Sequence, residues 1–149
     1  MKNYNVLDIA KYFVNSGILL SHKKLQKLVY YAYSWYLVKN NKSGNNLNNR
    51  LFNSRIEAWV HGPVCPELYY AYNNNKISMY DGKKIDIDTK KILDLIIQIY
   101  GKYTGEDLER LTHNEDPWII ARKGYSQYER SSKEVQDTDI YNYYSNRIA

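Results

Sequence analysis

The chain has 149 residues, and its 21 Lys and Arg outnumber its 16 Asp and Glu to give a net charge of +5. This length predicts one domain, because compact domains usually run to about 100–200 residues. The single cysteine excludes an internal disulfide framework. No apolar stretch approaches the roughly 20 residues needed to span a bilayer. We therefore expect one cytoplasmic domain over residues 1–149, without membrane contact.

Capping signals predict the first two helices. The first covers residues 6–15, with Asn5 as its N-cap and Gly17 beyond its end. The second covers about residues 21–39, with Ser21 as its N-cap. Its apolar residues recur three and four positions apart, at Leu25, Leu28, Val29, Ala32, Tyr36 and Leu37. Because further tyrosines occupy its other faces, we expect this long helix to lie centrally, with neighbours on several sides.

The middle of the chain predicts short extended segments around a proline turn. Residues 55–60 alternate between apolar and polar side chains, which indicates a short strand. The strand ends at the breaker His61-Gly62-Pro63, and Pro63 is expected to open a helix. A second extended piece over residues 76–80 is expected to pair with the first. Along one line of the helix after Pro63 we expect Val64, Leu68 and Tyr72.

Three more helix starts follow in the C-terminal half. One helix begins at residues 88–89, Thr104 and Asp107 fit a capping box, and 116-DPW-118 suits another start, with Asp116 as its N-cap and Pro117 at its first position. A final helix is expected over residues 138–147. The buried face of the first of these helices is predicted to contain Ile92, Leu95, Ile96, Ile99 and Tyr103. The fold class is mainly α: a compact single-domain helical bundle around the long second helix, with a minor β-hairpin.

The charge is unevenly distributed between the two halves. Residues 1–75 carry nine Lys or Arg and three Asp or Glu, a net +6, whereas residues 76–149 carry twelve and thirteen, a net −1. Basic groups neutralise phosphates and aromatic rings stack on bases. The second helix mixes both types, in Lys23, Lys24, Lys27, Tyr30, Tyr31 and Tyr33. A nucleic-acid-binding regulator is therefore one hypothesis, although the same rings are equally explained by packing, and no helix-turn-helix or RNA-module signature is present.

Catalytic chemistry has little support in the sequence. Cys65 with His61 is the only local nucleophile and base, but Gly62 and Pro63 between them argue against a shared helix. His61, Cys65 and His113 do not have the spacing of a known metal site. The seven glycines form no phosphate-binding loop. We expect no enzyme activity, no cofactor and no metal.

Two tryptophans stand beside proline turns. Trp59 precedes Gly62 and Pro63, and Trp118 follows Pro117 directly. Tryptophan is enriched in the energetically dominant part of protein interfaces. Each ring either belongs to such an interface or pins its turn to the core, and the sequence leaves both roles open.

Three segments together resemble a known family. They are 24-KLQKLVYYAYSW-35, 57-EAWVHGPVCPELY-69 and 111-LTHNEDPWIIAR-122. In order and spacing they are similar to the Panacea domain, the SocA-like antitoxin domain of bacterial and phage toxin–antitoxin modules. His61 and Cys65 depart from the pattern, where Tyr and an aliphatic residue are common. The family motif falls on Lys24, Leu25, Gln26, Lys27, Leu28, Ala58, Trp59, Gly62, Pro63, Val64, Pro117 and Trp118.

The resemblance implies a mainly helical antitoxin that neutralises a cognate toxin by direct protein contact. The toxin would be encoded by an adjacent gene. One relative delivers its toxin to a protease, so a protease is a further partner to consider, and a homo-oligomer is left open. Aromatic and basic side chains are typical of recognition surfaces. As toxin contacts we predict Lys24, Lys27, Tyr31, Trp59 and Tyr69.

Overall fold

The computed structural model describes residues 4–147, in which the chain forms seven α-helices and one two-stranded antiparallel sheet. The predicted mainly α class with a minor hairpin is confirmed. In chain order the elements are α1 (Val6–Asn15), α2 (His22–Lys39), β1 (Glu57–Trp59), β2 (Gly62–Val64), α3 (Pro66–Asn73), α4 (Ile87–Tyr100), α5 (Gly105–His113), α6 (Asp116–Ala121) and α7 (Asp137–Ser145).

Helix α2 is the centre of the fold, as its sequence predicts. It begins after Ser21, whose Oγ accepts a hydrogen bond from the Lys24 amide at 3.1 Å. It contacts α1, α3, α4, α5, α7 and β2. Leu25, Leu28 and Leu37 are completely buried. Most of the apolar core is therefore organised around one 18-residue helix.

The hairpin corrects two predictions about the middle of the chain. Strand β1 pairs with β2 rather than with residues 76–80, which form a turn, and Pro63 lies within β2, so that α3 begins only at Pro66. Pro63 stands opposite Ala58. The Ala58 carbonyl accepts instead from the Arg122 guanidinium at 2.9 Å, and the Ala58 amide donates to the Lys133 carbonyl at 2.8 Å. The missing N–H of Pro63 therefore costs no strand hydrogen bond.

Helix α4 buries only part of its predicted face: Ile92 and Ile96 are buried as expected. It begins after Asp86, whose carboxylate accepts from the Thr89 amide at 2.9 Å. Leu95, Ile99 and Tyr103 were expected in the core but are exposed. The helix carries two apolar rows, and the inner row is Thr89, Ile92, Leu93, Ile96 and Tyr100. Periodicity alone cannot tell which of two apolar rows faces the core.

A buried carboxylate joins α2, α6 and α7. Glu115, rather than the predicted Asp116, occupies the N-cap position of α6, and its side chain turns inward. Its Oε1 accepts from the Tyr31 hydroxyl at 2.9 Å and from the Tyr144 hydroxyl at 2.7 Å. Burial raises the pKa of Glu115. Three tyrosines of α2 thus serve packing: the hydroxyl groups of Tyr30, Tyr31 and Tyr33 bond to Tyr144, Glu115 and Asp137 inside the protein.

Candidate partner-binding surface

Two buried polar residues of α2 hold the hairpin on the side that faces this helix. Gln26 pairs with the backbone of Cys65: its Nε2 donates to the carbonyl at 3.2 Å, and its Oε1 accepts from the amide at 2.9 Å. The Lys27 ammonium donates to the Pro63 carbonyl at 3.2 Å. Both side chains are buried. They fix the end of β2 and the start of α3 relative to the central helix.

The other predicted contacts on α2 are also interior. The Lys24 ammonium donates to the Gly101 carbonyl at 2.6 Å, where α4 ends. Tyr31 stacks on Tyr100 with ring centroids 4.0 Å apart. Lys24, Lys27 and Tyr31 therefore present no surface to a partner in this conformation. The same burial removes most of the basic and tyrosine-rich face on which the nucleic-acid hypothesis depended.

Lys27 is an unusual residue in an apolar interior. Its side chain is fully buried, and this burial lowers its pKa to about 7, although the negative charge of Glu109 opposes the shift. Gly62 makes room for it. A Cβ at Gly62 would lie 2.6 Å from the Lys27 Cε and 2.9 Å from the Thr112 Oγ1. The hairpin turn and the buried lysine are thus packed against each other.

We expect Gly62→Ala to destabilise the protein by about 3 kcal/mol, because it combines steric overlap with a φ of +109°. Gly17→Ala is the matched control, since Gly17 also has a positive φ of +87° but has nothing within 4 Å of the added Cβ. It should cost about 1 kcal/mol. Urea unfolding of both variants measures the difference. Equal losses would show that the contact with Lys27 is unimportant.

A second group of contacts, from residues in the C-terminal part of the chain, holds β1 in place. The Trp118 indole N–H donates to the Trp59 carbonyl at 2.8 Å. The Arg122 guanidinium donates to the carbonyls of Ala58 at 2.9 Å and Ser126 at 3.0 Å. Trp118 and Arg122 are both buried. Of the two roles left open for Trp118, the structure supports pinning the turn. The sequence analysis gave Arg122 no role, because its partners are backbone groups that no motif reveals.

Exposed rings cover the outer side of this braced hairpin. Trp59 and Tyr69 contact edge to face with centroids 5.0 Å apart, and Tyr69 meets Tyr70 at 5.6 Å. Trp59 and Tyr69 are half-buried, whereas Tyr70 is 61% exposed. Trp59 and Tyr69 were predicted from the sequence, whereas Tyr70 was not, because its exposure follows from its position on α3. We call this surface the aromatic face, defined by His22, Trp59, Tyr69, Tyr70 and Tyr72.

His22 contributes a stacked imidazole ring to the aromatic face. It stacks on Tyr72 with centroids 3.9 Å apart and on Tyr69 at 5.0 Å. Burial lowers the pKa of His22, with a further contribution from the charge of Lys27. The imidazole is therefore held in its neutral form near pH 7 and adds apolar surface under the tyrosines.

A groove of about 620 Å³ continues from the aromatic face toward residues 130–132. Beside it, the Glu57 carboxylate accepts from the Trp59 indole N–H at 2.9 Å and from the Arg55 Nε at 2.8 Å. These bonds fix the orientation of the Trp59 ring. The groove is lined by Glu57, Trp59, Val60, His61, Tyr70, Arg130, Ser131 and Ser132. Its mixture of aromatic, acidic and basic groups is typical of a protein-recognition surface.

A comparison with protein families shows which family the chain belongs to. Residues 25–119 match the family described as "Antitoxin SocA-like, Panacea domain". The chain belongs to this family. Comparisons with curated proteins and with solved structures give no match. The match runs from within α2 to within α6, and so includes Gln26, Lys27 and Trp118, which brace the hairpin, but not Arg122. In residues 4–147 no helix combines the length and apolarity needed to cross a membrane.

The local nucleophile and base candidates of this Panacea protein, Cys65 and His61, are both placed in structural surroundings. His61 pairs with Glu109, with 3.0 Å between its Nδ1 and the carboxylate, and Lys23 approaches the same carboxylate at 2.7 Å. Although burial opposes it, these contacts lower the pKa of Glu109. Cys65 is buried, which raises its thiol pKa to about 11. The described part of the chain contains no group of three or more His, Cys, Asp or Glu placed to hold a metal ion.

Proposed function

We propose that this Panacea protein is a cytoplasmic antitoxin that neutralises a cognate protein toxin, encoded by an adjacent gene, by direct binding through the aromatic face. The observation that supports this proposal most strongly is the surface cluster of exposed Tyr70 with half-buried Trp59 and Tyr69 on the hairpin and α3. Tryptophan and tyrosine provide large contact areas at a low cost in side-chain entropy. Their polar tips also make hydrogen bonds available at the edge of such an interface.

The buried contacts that anchor the hairpin also support this proposal. Gln26 and Lys27 anchor β2 and its junction with α3, while Trp118 and Arg122 anchor β1. A surface that is rigid before binding loses less entropy when it meets a partner. The family motif thus has a physical meaning: its buried residues build the platform, and the exposed rings beside them make the contact. Trp59, which is half-buried, belongs both to the family motif and to the rings of the aromatic face.

We also propose that the whole chain acts as one unit rather than as the matched region alone. Helices α1 and α7 lie outside residues 25–119, and both pack on α2. Tyr144 of α7 bonds to Glu115, which lies inside the matched region. Removing either helix would expose the core around α2.

Co-expression with the product of the adjacent gene tests the proposal. We expect that product to stop growth alone, and growth to resume with this protein present while the amount of toxin stays constant. A protease-dependent fall in toxin abundance would instead show that the protein acts as an adaptor for degradation. If the neighbour is harmless alone, or lethal even with this protein present, the proposal is wrong.

A further inference from the structure

The groove beside the aromatic face lies between two parts of the chain that are distant in sequence. One side contains Trp59 and the exposed ring of Tyr70, and the other is the segment 130–132. This segment leads into a stretch that runs antiparallel to β1, where the Ala58 amide donates to the Lys133 carbonyl at 2.8 Å. The groove thus has an aromatic side and a polar side.

Two arginines hold the polar side of the groove in place. The Arg55 guanidinium donates to the Ser132 carbonyl at 2.9 Å. The Arg122 guanidinium donates to the carbonyl of Ser126 at 3.0 Å and also to that of Glu129. The segment is therefore positioned by bonds within the protein, and a partner would meet a groove that is already formed.

The negative charge in the groove is balanced inside the protein. Glu57 is the acidic residue in the groove lining. One of its oxygens accepts from the Trp59 indole and the other from Arg55. Arg55 also bonds to Glu134 at 3.2 Å. These carboxylates already have donors, so they do not call for a basic partner.

The donors on the polar side of the groove are in the opposite situation. Arg130 is exposed, and within residues 4–147 its guanidinium has no hydrogen bond, ion pair or ring contact. The exposed ammonium of Lys133 in the same segment is likewise unpaired among the described residues. The Ser131 hydroxyl oxygen accepts from the Lys133 amide at 3.1 Å, which leaves its O–H available to donate. The groove therefore offers positive charge and donors without matching acceptors.

We propose that the groove binds an acidic segment of the toxin, in which a carboxylate pairs with Arg130 and a neighbouring apolar side chain packs against Trp59 and Tyr70. This inference rests on the proposed function and adds the chemistry of the partner. A guanidinium binds a carboxylate through two parallel hydrogen bonds, which fixes the orientation of the bound segment. The aromatic side supplies contact area, and the charge selects the partner.

The charges favour an acidic protein segment over a nucleic acid. Binding a phosphate backbone requires several basic groups, because each neutralised phosphate adds to the affinity. Among the described residues that line the groove, Arg130 is the one unpaired Lys or Arg, and the carboxylate of Glu57 lies in the same lining. This arrangement suits one carboxylate rather than a row of phosphates.

Charge reversal at Arg130 tests the proposal. The Kd of Arg130→Glu for the adjacent gene product should be at least about tenfold weaker than that of wild type, with an unchanged melting temperature. Lys42→Glu is the matched control, because it makes the same charge change at an exposed lysine outside the groove; it should bind like wild type. High salt should weaken wild type more than Arg130→Glu.

A charge exchange identifies the partner segment. When the acidic residues of the gene product are replaced by lysine one at a time, one replacement should restore binding to Arg130→Glu. If Tyr70→Ala weakens binding but Arg130→Glu binds like wild type, this inference is wrong and the proposed function stands. If wild type does not bind the gene product, both are wrong.

The other possible occupants of the groove give different results. If Arg130→Glu keeps its affinity for the gene product but loses affinity for a single-stranded RNA oligonucleotide, the groove binds nucleic acid and the proposal is overturned. If Arg130→Glu instead dissociates a wild-type dimer in analytical ultracentrifugation, the occupant is a second copy, which also overturns it.

Discussion

Leu28→Asp is expected to unfold the protein under conditions in which the wild type is stable, with a loss of more than about 4 kcal/mol. Leu28 is completely buried on α2, which contacts most other elements of the fold. A carboxylate placed there would lose its hydration in the apolar core, so it would either remain buried at a high cost or force the helix outward. Leu25→Asp should behave in the same way, since Leu25 is equally buried. Circular dichroism should show no cooperative melting transition for either variant.

Leu19→Asp makes the same chemical change on the surface. Leu19 is 90% exposed in the segment between α1 and α2, so its replacement should change stability by no more than about 0.5 kcal/mol. Comparing the variants separates the effect of burial from that of added negative charge. A cooperative transition near the wild-type temperature in Leu28→Asp would contradict the assignment of α2 as the central helix.

Lys27→Met is expected to change how stability depends on pH. Burial lowers the pKa of Lys27 to about 7, from an ordinary value of 10.5. Between those values the unfolded chain binds one more proton than the folded one at this site, so wild-type stability gains about 1.4 kcal/mol per pH unit from it. Below pH 7 the lysine is protonated in both states, and the contribution becomes constant.

Between pH 7 and pH 9.5, the free energy of unfolding of wild type should therefore rise by about 3 kcal/mol more than that of Lys27→Met. Urea unfolding across that range measures it. Lys39→Met is the matched control, because Lys39 is exposed in the last turn of the same helix. Its pH profile should follow that of the wild type. Parallel profiles for wild type and Lys27→Met would show that Lys27 keeps its charge in the folded protein.

Local signals were sufficient to predict where most helices begin. Asn5 with Asp8, and Thr104 with Asp107, form the capping boxes expected from their spacing. Ser21 caps α2 at the predicted position. Each of these signals operates within four residues, so the chain needs no tertiary contact to specify it. This is why α1, α2 and α5 were predicted closely.

Features that depend on distant contacts were not predictable in this way. Pro63 occupies a strand only because its partner Ala58 bonds elsewhere, to Lys133 and Arg122. The choice between the two apolar rows of α4 likewise depends on where α2 lies. In both cases the local pattern allowed two structures, and packing selected one.

The same difference between local signals and distant contacts explains which residues of the candidate site could be predicted. Lys24 and Lys27 were expected on the surface because lysine is rarely buried. Their interior positions depend on backbone carbonyls 77 and 36 residues away in the sequence. Trp59 and Tyr69 were selected from residue type and the family resemblance, and both lie on the aromatic face. Their role as toxin contacts remains a prediction.

The most direct test of toxin recognition by the aromatic face is the affinity of purified Tyr70→Ala for the adjacent gene product. Isothermal titration calorimetry measures this affinity, and the melting temperature of the variant is measured beside it. Tyr70 is exposed and outside the core, so we expect an unchanged melting temperature and at least a tenfold weaker Kd. Tyr128→Ala is the control, because Tyr128 is 80% exposed and does not line the groove; it should bind like wild type. Wild-type affinity in both Tyr70→Ala and Trp59→Ala would contradict toxin recognition by the aromatic face.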